Sequence, residues 1–313
     1  MTQAEYSIGT QGKKWGAEEK QQWYQQQQIK RSYLDDVVTK INAEQQVFEV
    51  VQYGALSYDE VRYPLLAFKS SLWDRSKPTI LVTGGVHGYE TSGVQGAIRF
   101  AQTQGQHYSE HFNIIVAPCV SPWGYETINR WNPNAVDPNR SFYQASPAQE
   151  SALLMAYLTQ MTTDLNTEIS MHVDLHETTD TDNSEFRPAL AARDAVEHTN
   201  WNIPDGFYLV GDSTKPQDDF QQAVIASVEK ITHIAPADEN NKLIGVPLAQ
   251  KGVINYAARE LGLCMGLTNA DYVTTTEVYP DSPLVDDENC ILAQVAAVTG
   301  ALDFIISKTL STK

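Results

Sequence analysis

"TILVTGGVHGYETSG", residues 79–93, decides how the chain is read. Its first part is a continuous apolar run that ends in two glycines, the pattern of a strand buried on both faces. The run "TSGVQGAIRFAQTQ", which opens at Thr91, then reads as helix. Between the two, Gly84 and Gly85 let the main chain turn sharply off the strand. His87 and Glu90, three residues apart on the first helical turn, can then face one point.

Outward from this unit the same alternation repeats. "VFEVVQYG" and "YPLLAFKS" read as strands around a turn at 57–60, and "FNIIVAPCV" (112–120) as a second buried strand. "SPAQESALLMAYLTQM" (146–161) reads as an amphipathic helix with Ser146 as N-cap. "EISMHVDLHET" (168–178) reads as a strand, followed by a helix near 217–231, a strand near 272–278 and a helix near 290–307. An N-terminal helical segment is expected over about 15–45, with its glutamine run as a solvated face. Strands alternating with helices predict an α/β fold, a mixed, mostly parallel sheet covered by helices on both faces. With no internal repeat and no Gly/Ser linker, residues 1–313 are expected to form one domain. The irregular stretch 121–145 falls in mid-domain, where long loops usually carry function.

Composition narrows the partners. The chain has 313 residues, 42% of them hydrophobic, and a formal net charge of −17. An acidic surface of that size repels nucleic acid and anionic lipid. There is no run of about 18 apolar residues, so no membrane span is expected. The three cysteines lack CxxC spacing and suit reduced thiols. A polar N-terminus without an apolar core suggests no signal peptide, and the expected location is cytoplasmic.

In covered sheets, ligands gather beyond the carboxyl ends of strands. His87 and Glu90 follow one strand, His176 and Glu177 end another, and Glu277 in "YVTTTEVYP" lies near the end of a third. Two histidines and one carboxylate, with one position open to water, make a catalytic zinc set. His176 supplies the ligand from a second strand. Asp174, two residues earlier on the same strand face, suits a partner that fixes an imidazole tautomer. Glu177 stays open as an alternative ligand to Glu90. His172 shares the face of Asp174 and reads as a core histidine. His107, His111, His198 and His233 match no motif and read as surface. An HxxE pair alone arises often by chance; "DLHET" at a second strand end gives it weight. GxSxG, GxxxxGK[ST], HExxH and a GxGxxG after a strand are all absent. Cys119, in a buried strand, reads as a packed thiol.

"GGVHGYE" together with "VDLHE" resembles the zinc carboxypeptidase superfamily, whose ligands are an HxxE pair and a later histidine after a strand. "SPWGYETINRWNPNAVDPNRSF" (121–142) is similar to the family segment with a proline-glycine turn, a transition-state arginine and an Asn-Arg pair. The resemblance implies that Arg130 polarises the scissile carbonyl and that Asn139 and Arg140 bind a substrate carboxylate; the plainer reading pairs Arg130 and Arg140 with Asp137 and other acids on a surface loop. "TTTEVY" resembles the strand bearing the family's general base, which implies Glu277. For the substrate-capping tyrosine, Tyr256 is the candidate, with Tyr272 and Tyr279 as rivals. The likeness covers roughly residues 80–280. Two departures stand out: Ser121-Pro122-Trp123-Gly124 replaces the family's usual Asn-Pro-Asp-Gly, and the interval from Glu90 to His176 is short. The short interval resembles compact bacterial members and the related aspartoacylase and succinylglutamate desuccinylase group, which "DLHETT" also resembles.

The implied function is a zinc-dependent metallopeptidase of the carboxypeptidase type. It would hydrolyse a peptide-like amide next to a free carboxylate through one Zn²⁺ and a metal-activated water, though other divalent ions also suit such ligands. A zinc-dependent N-acyl amino acid deacylase uses the same groups and is the alternative. A non-catalytic binding protein that keeps the fold is the third reading; it requires a missing base or ligand. The expected partner is a peptide or acylated amino acid with a free carboxylate, with no nucleic acid and no membrane.

Overall fold

The computed structural model of the protein describes residues 6–43 and 47–311. Positions 44 and 45 of the expected N-terminal helical segment lie outside the described residues, as do the first five residues of the expected leaderless N-terminus. The elements run α1 (Ala17–Gln25), α2 (Thr39–Ala43), β1 (Phe48–Ala55), β2 (Pro64–Ser70), β3 (Thr79–Gly84), α3 (Thr91–Ser109), β4 (Asn113–Ala117), α4 (Pro122–Thr127) and α5 (Gln149–Leu165). They continue as β5 (Ile169–Glu177), α6 (Arg187–Asp194), β6 (Tyr208–Asp212), α7 (Asp218–Val228), the short pair β7 (Lys242–Leu243) and β8 (Val246–Pro247), β9 (Val253–Tyr256), β10 (Tyr272–Val278) and α8 (Asp287–Ser311).

Eight strands form one sheet in the order β1-β2-β4-β3-β5-β10-β6-β9. The inner strands β4, β3, β5 and β10 are parallel; β1, β2 and β4 join antiparallel, and β6 runs antiparallel to β10 while pairing parallel with β9. The expected mixed, mostly parallel α/β sheet is therefore observed. Alternation along the inner strands divides the core. Ile80, Val82, Met171, Val173 and Leu175 pack in a cluster with residues of α3, α7 and α8, whereas Leu81, Ile115 and Ala117 pack in a second cluster with Leu154, Leu158 and Met161 of α5. Each such Ile, Val, Leu or Met side chain contributes roughly 1.5–3 kcal/mol on full burial, which accounts for the unbroken apolar runs. This register also puts His172, Asp174 and His176 together on the α5 side of β5.

α8 is long and apolar enough to cross a membrane, with an 18-residue window of mean hydropathy 1.8 within Asp287–Leu310. That differs from the expectation of no such run. In the fold it packs as a core helix, with Cys290, Ala293, Ala297, Ala301 and Leu302 buried.

The structure corrects three local expectations. The N-terminal segment is not one helix: α1 stops at Gln25, 26–32 are irregular, and a π-helical turn (Leu34–Val38) precedes α2. The main chain there bonds elsewhere, with the Lys30 and Arg31 N–H groups donating to the Glu126 carbonyl (2.8 and 3.3 Å) and the Tyr33 N–H to Glu126 Oε1 (2.9 Å). Helix α5 starts at Gln149 with Ala148 as N-cap, because Ser146 Oγ turns back to accept from the Ala148 N–H. Finally, 121–145 contains α4 and a 3-10 turn (Pro138–Arg140).

Candidate metal centre and active site

The turn after β3 leaves no space for side chains at its glycines. Gly85 adopts φ +58, and a Cβ on Gly84 would lie 2.6 Å from the Gly93 carbonyl oxygen. Gly88 presses against the 121–125 turn, where a Cβ would stand 2.1 Å from the Tyr125 nitrogen. The proline-glycine turn and the HxxE turn are thus in direct main-chain contact. Glu90 is the N-cap of α3, with its N–H donating to the His87 carbonyl, so the pair lies in the turn before the helix rather than on its first turn.

His87, Glu90 and His176 are brought together, each with a donor atom within 4.8 Å of the others, and all three are buried. His87 Nδ1 lies 2.7 Å from Glu90 Oε1, and His176 Nδ1 lies 2.7 Å from Glu90 Oε2. Behind the rings, His87 Nε2 is 3.0 Å from Asp137 Oδ1 and His176 Nε2 is 2.8 Å from Asp174 Oδ2. A carboxylate only accepts, so each Nε2 carries its proton there. In the metal-free protein the Nδ1 atoms also face a carboxylate, Glu90, and against burial Asp174 and Glu90 hold the His176 imidazole well above its usual range; with a divalent cation in place of the Nδ1 protons, both Nδ1 lone pairs are free to ligate. Glu90 Oε2 correspondingly has no well-aligned hydrogen bond despite its short approach to His176. Two lone pairs and a carboxylate converging on one point form a donor set for a divalent cation, and the residues fit a zinc ion. Burial pushes the Glu90 carboxyl up, but the two imidazoles outweigh it and hold it at about 2. Asp174 behaves as the sequence suggested, and Asp137, its counterpart behind His87, was missed. The signal for it was its place directly before Pro138-Asn139-Arg140.

Glu277 sits beside His176 in the β10–β5 register and accepts from Thr178 Oγ1 at 2.9 Å. Burial pushes its carboxyl up to about 8, against the pull of His176. Glu177 is not in the ligand cluster; its Oε1 accepts the Ser92 N–H at 2.5 Å. Burial lifts its carboxyl to about 7. Arg130 is held in two directions, with Nε donating to Asp137 Oδ2 at 3.1 Å and Nη1 3.5 Å from Asp182 Oδ1. These ion pairs lie at the cavity, not on an outlying loop. Arg140 has no ion pair among the described residues and donates from Nη1 to the Asn139 carbonyl at 2.7 Å. Asn139 Oδ1 accepts the Cys264 N–H at 2.8 Å, leaving its amide nitrogen toward His176.

A cavity of about 210 Å³ joins these groups, lined by His87, Glu90, Arg130, Asn139, Arg140 and Glu277. Tyr256 lines it as well. Tyr272 packs instead between Phe220 and Phe304, and Tyr279 donates to Asp180, so neither rival reaches the cavity wall. The outer wall comes from segments the sequence left faint, with Asp182, Arg187, His198 and Tyr208 on it. His198 is therefore at the cavity rather than on open surface. Strands β6 and β9 escaped notice because each is short and carries few periods of alternation.

His172 is a core histidine, as expected. Burial pushes its imidazole down to about 4, and its Nε2 lies 2.8 Å from Thr83 Oγ1. That hydroxyl donates to Asp174 Oδ1 at 2.6 Å. Cys119 is buried, as a packed thiol should be.

Residues 76–202 match the profile of the succinylglutamate desuccinylase/aspartoacylase catalytic domain. No curated protein matches the chain by sequence. Among solved structures, a protein of Shewanella amazonensis SB2B, provisionally described as a metallopeptidase, superposes with a TM-score of 0.65 at 16% identity, covering 89% of this chain and 98% of that one. A metallo-carboxypeptidase from Burkholderia cenocepacia superposes with a TM-score of 0.59 at 14% identity, over 86% of this chain and 68% of that one. Bovine thrombin-activatable fibrinolysis inhibitor, solved with tick carboxypeptidase inhibitor, superposes with a TM-score of 0.57 at 12% identity, over 91% and 99%. The resemblance to the zinc carboxypeptidase superfamily holds at the level of fold, and over 76–202 it holds for the related deacylase profile.

Proposed function

We propose, from the premise of a carboxypeptidase-like or desuccinylase/aspartoacylase-type hydrolase fold, that the protein is a zinc-dependent metallopeptidase of the carboxypeptidase type. The observation that carries this reading is the convergence of His87, Glu90 and His176 within 4.8 Å, with Glu277 in register beside His176. A divalent ion held by those three residues supplies Lewis acidity and lowers the pKa of water to about 7.

The chain's own groups do the rest. Glu277, in register beside His176, takes a proton from the attacking water and passes it to the leaving amine. Arg130, pinned between Asp137 and Asp182, offers N–H groups to the oxyanion that develops on the scissile carbonyl. Arg140 has no ion pair among the described residues and presents a planar fork for the substrate carboxylate, with the Asn139 amide beside it. Tyr256 closes the side of the cavity. Val210, Ile244 and Leu263 give part of that cavity an apolar lining, which suits an uncharged side chain next to the free carboxylate.

The profile match over 76–202 favours a second reading, N-acyl amino acid deacylation by the same groups. Metal content, activity before and after chelation, and a panel of peptides against N-acyl amino acids separate the two. The first reading expects zinc-dependent release of C-terminal residues from peptides. It also expects Glu277→Gln to lower kcat by roughly 10²–10⁴-fold while metal content is kept. Release of acyl groups alone favours the second reading, and full turnover by Glu277→Gln removes Glu277 as the base.

A further inference from the structure

The irregular segment 26–32 interrupts what the sequence presents as continuous helix, and it brings Arg31 to the back of the HxxE turn. Its guanidinium makes contacts unusual for an arginine in so acidic a chain. Nε donates to the Tyr125 carbonyl at 2.6 Å, Nη1 to Thr91 Oγ1 at 2.6 Å, and Nη2 to the Gly88 and Tyr89 carbonyls at 2.9 and 3.4 Å. The same group lies 3.5 Å over the Tyr125 ring. No ion pair of Arg31 occurs among the described residues. Every polar contact goes to one of two turns, the turn that carries His87 and Glu90 and the turn at 121–125 pressed against it. The residues bonded around Glu90 are those at 88, 89 and 91, so its main chain is held from both sides.

We infer that Arg31 is a positioning residue. Its planar fork ties the two abutting turns together and so sets the affinity of the His87–Glu90–His176 cluster for its metal without touching the ion. The inference rests on the metal-centre reading above. The strap that delivers Arg31 is itself fastened to the second turn, through the Lys30 and Arg31 N–H groups on the Glu126 carbonyl and the Tyr33 N–H on Glu126 Oε1. A lysine at 31 could not reproduce this grip, because one ammonium cannot direct donors at Tyr125, Thr91 and Gly88 at once. Partners behind metal ligands typically govern affinity by 10–100-fold.

The test is Zn²⁺ affinity by competition with a chromogenic chelator, together with the visible spectrum of the Co²⁺-loaded protein, for wild type, Arg31→Ala, Arg31→Lys and Lys30→Ala. Arg31→Ala is expected to bind Zn²⁺ about 10–100-fold more weakly and to shift the Co²⁺ bands. Added guanidinium ion should restore part of both. Arg31→Lys is expected to stay at least about 10-fold weak, and it carries the test if the alanine variant does not fold. Lys30→Ala, which removes an exposed neighbouring cation, should match wild type. An arginine variant with wild-type Zn²⁺ affinity and an unchanged Co²⁺ spectrum overturns the inference, even if its melting temperature falls. A wild-type protein that takes up no divalent ion overturns the metal reading itself, and the role of Arg31 with it.

Discussion

Gly88→Ala probes the geometry most directly. A Cβ at this position would stand 2.1 Å from the Tyr125 nitrogen, 2.2 Å from the Gly124 carbonyl carbon and 2.5 Å from the Ser121 oxygen, where ordinary contact begins at 3.4 Å. All three obstacles are main chain, so no rotamer change relieves them. The HxxE turn and the 121–125 turn would have to part by about 1 Å, whereas a zinc site tolerates ligand distances to only about 0.2 Å. His87, one residue away, would leave the cluster or carry it out of shape. Loss of one ligand's geometry is expected to weaken Zn²⁺ binding by at least about 100-fold, or roughly 2.7 kcal/mol. Overpacking adds roughly 1–3 kcal/mol of lost stability in the metal-free protein. Competition titration measures the first effect and denaturant unfolding under chelator the second. Gly16→Ala serves as a control, because its Cβ would meet only the Glu19 carboxylate at 3.3 Å, a movable side chain. A Gly88→Ala protein that binds Zn²⁺ within threefold of wild type would refute the claim that the abutting turns determine the site.

Asp137→Asn should weaken Zn²⁺ binding by roughly 10–100-fold, since an amide can no longer accept from both His87 Nε2 and Arg130 Nε; unchanged binding in a competition titration would count against the tautomer argument. Glu177 should make the metal-free protein less stable as pH rises. Its carboxyl titrates at about 7 when folded, because of burial, against an ordinary 4.5. The folded state therefore holds a proton the unfolded chain releases, and stability present below about pH 4.5 falls away through pH 7, by about 3 kcal/mol at the limit. Glu177→Gln, which keeps an acceptor for the Ser92 N–H, should gain relative to wild type between pH 5 and pH 8; an equal difference in melting temperature at both values would show that Glu177 does not titrate there.

The inner strands could be read because their physics is local. β3 and β4 are buried on both faces, so their apolar runs are unbroken, and β5 interrupts its run with the polar residues of the site. The candidate ligands follow from the same pattern, since they stand at or just beyond the ends of those strands. What escaped depends on partners distant in sequence. Residues 26–32 have helical composition, yet their N–H groups find Glu126, and tertiary bonds override propensity. Ser146 is a plausible cap by composition, yet its hydroxyl serves the chain before the helix. β6 and β9 are too short for alternation to be counted. The pairing of Asp137 with Arg130 was legible from the sequence, but Asp182 and the link from Asp137 to His87 depend on the fold.

β10 stands at a seam. On one side it runs parallel to β5, and on the other it meets β6 head to tail. The donor cluster and its supporting turns belong wholly to the first side, while Tyr208, Val210 and Tyr256 belong to the second. Glu277, on the seam, is shared. Substitutions or insertions across β6–β9 can therefore reshape the second wall of the cavity while leaving the His87–Glu90–His176 cluster intact.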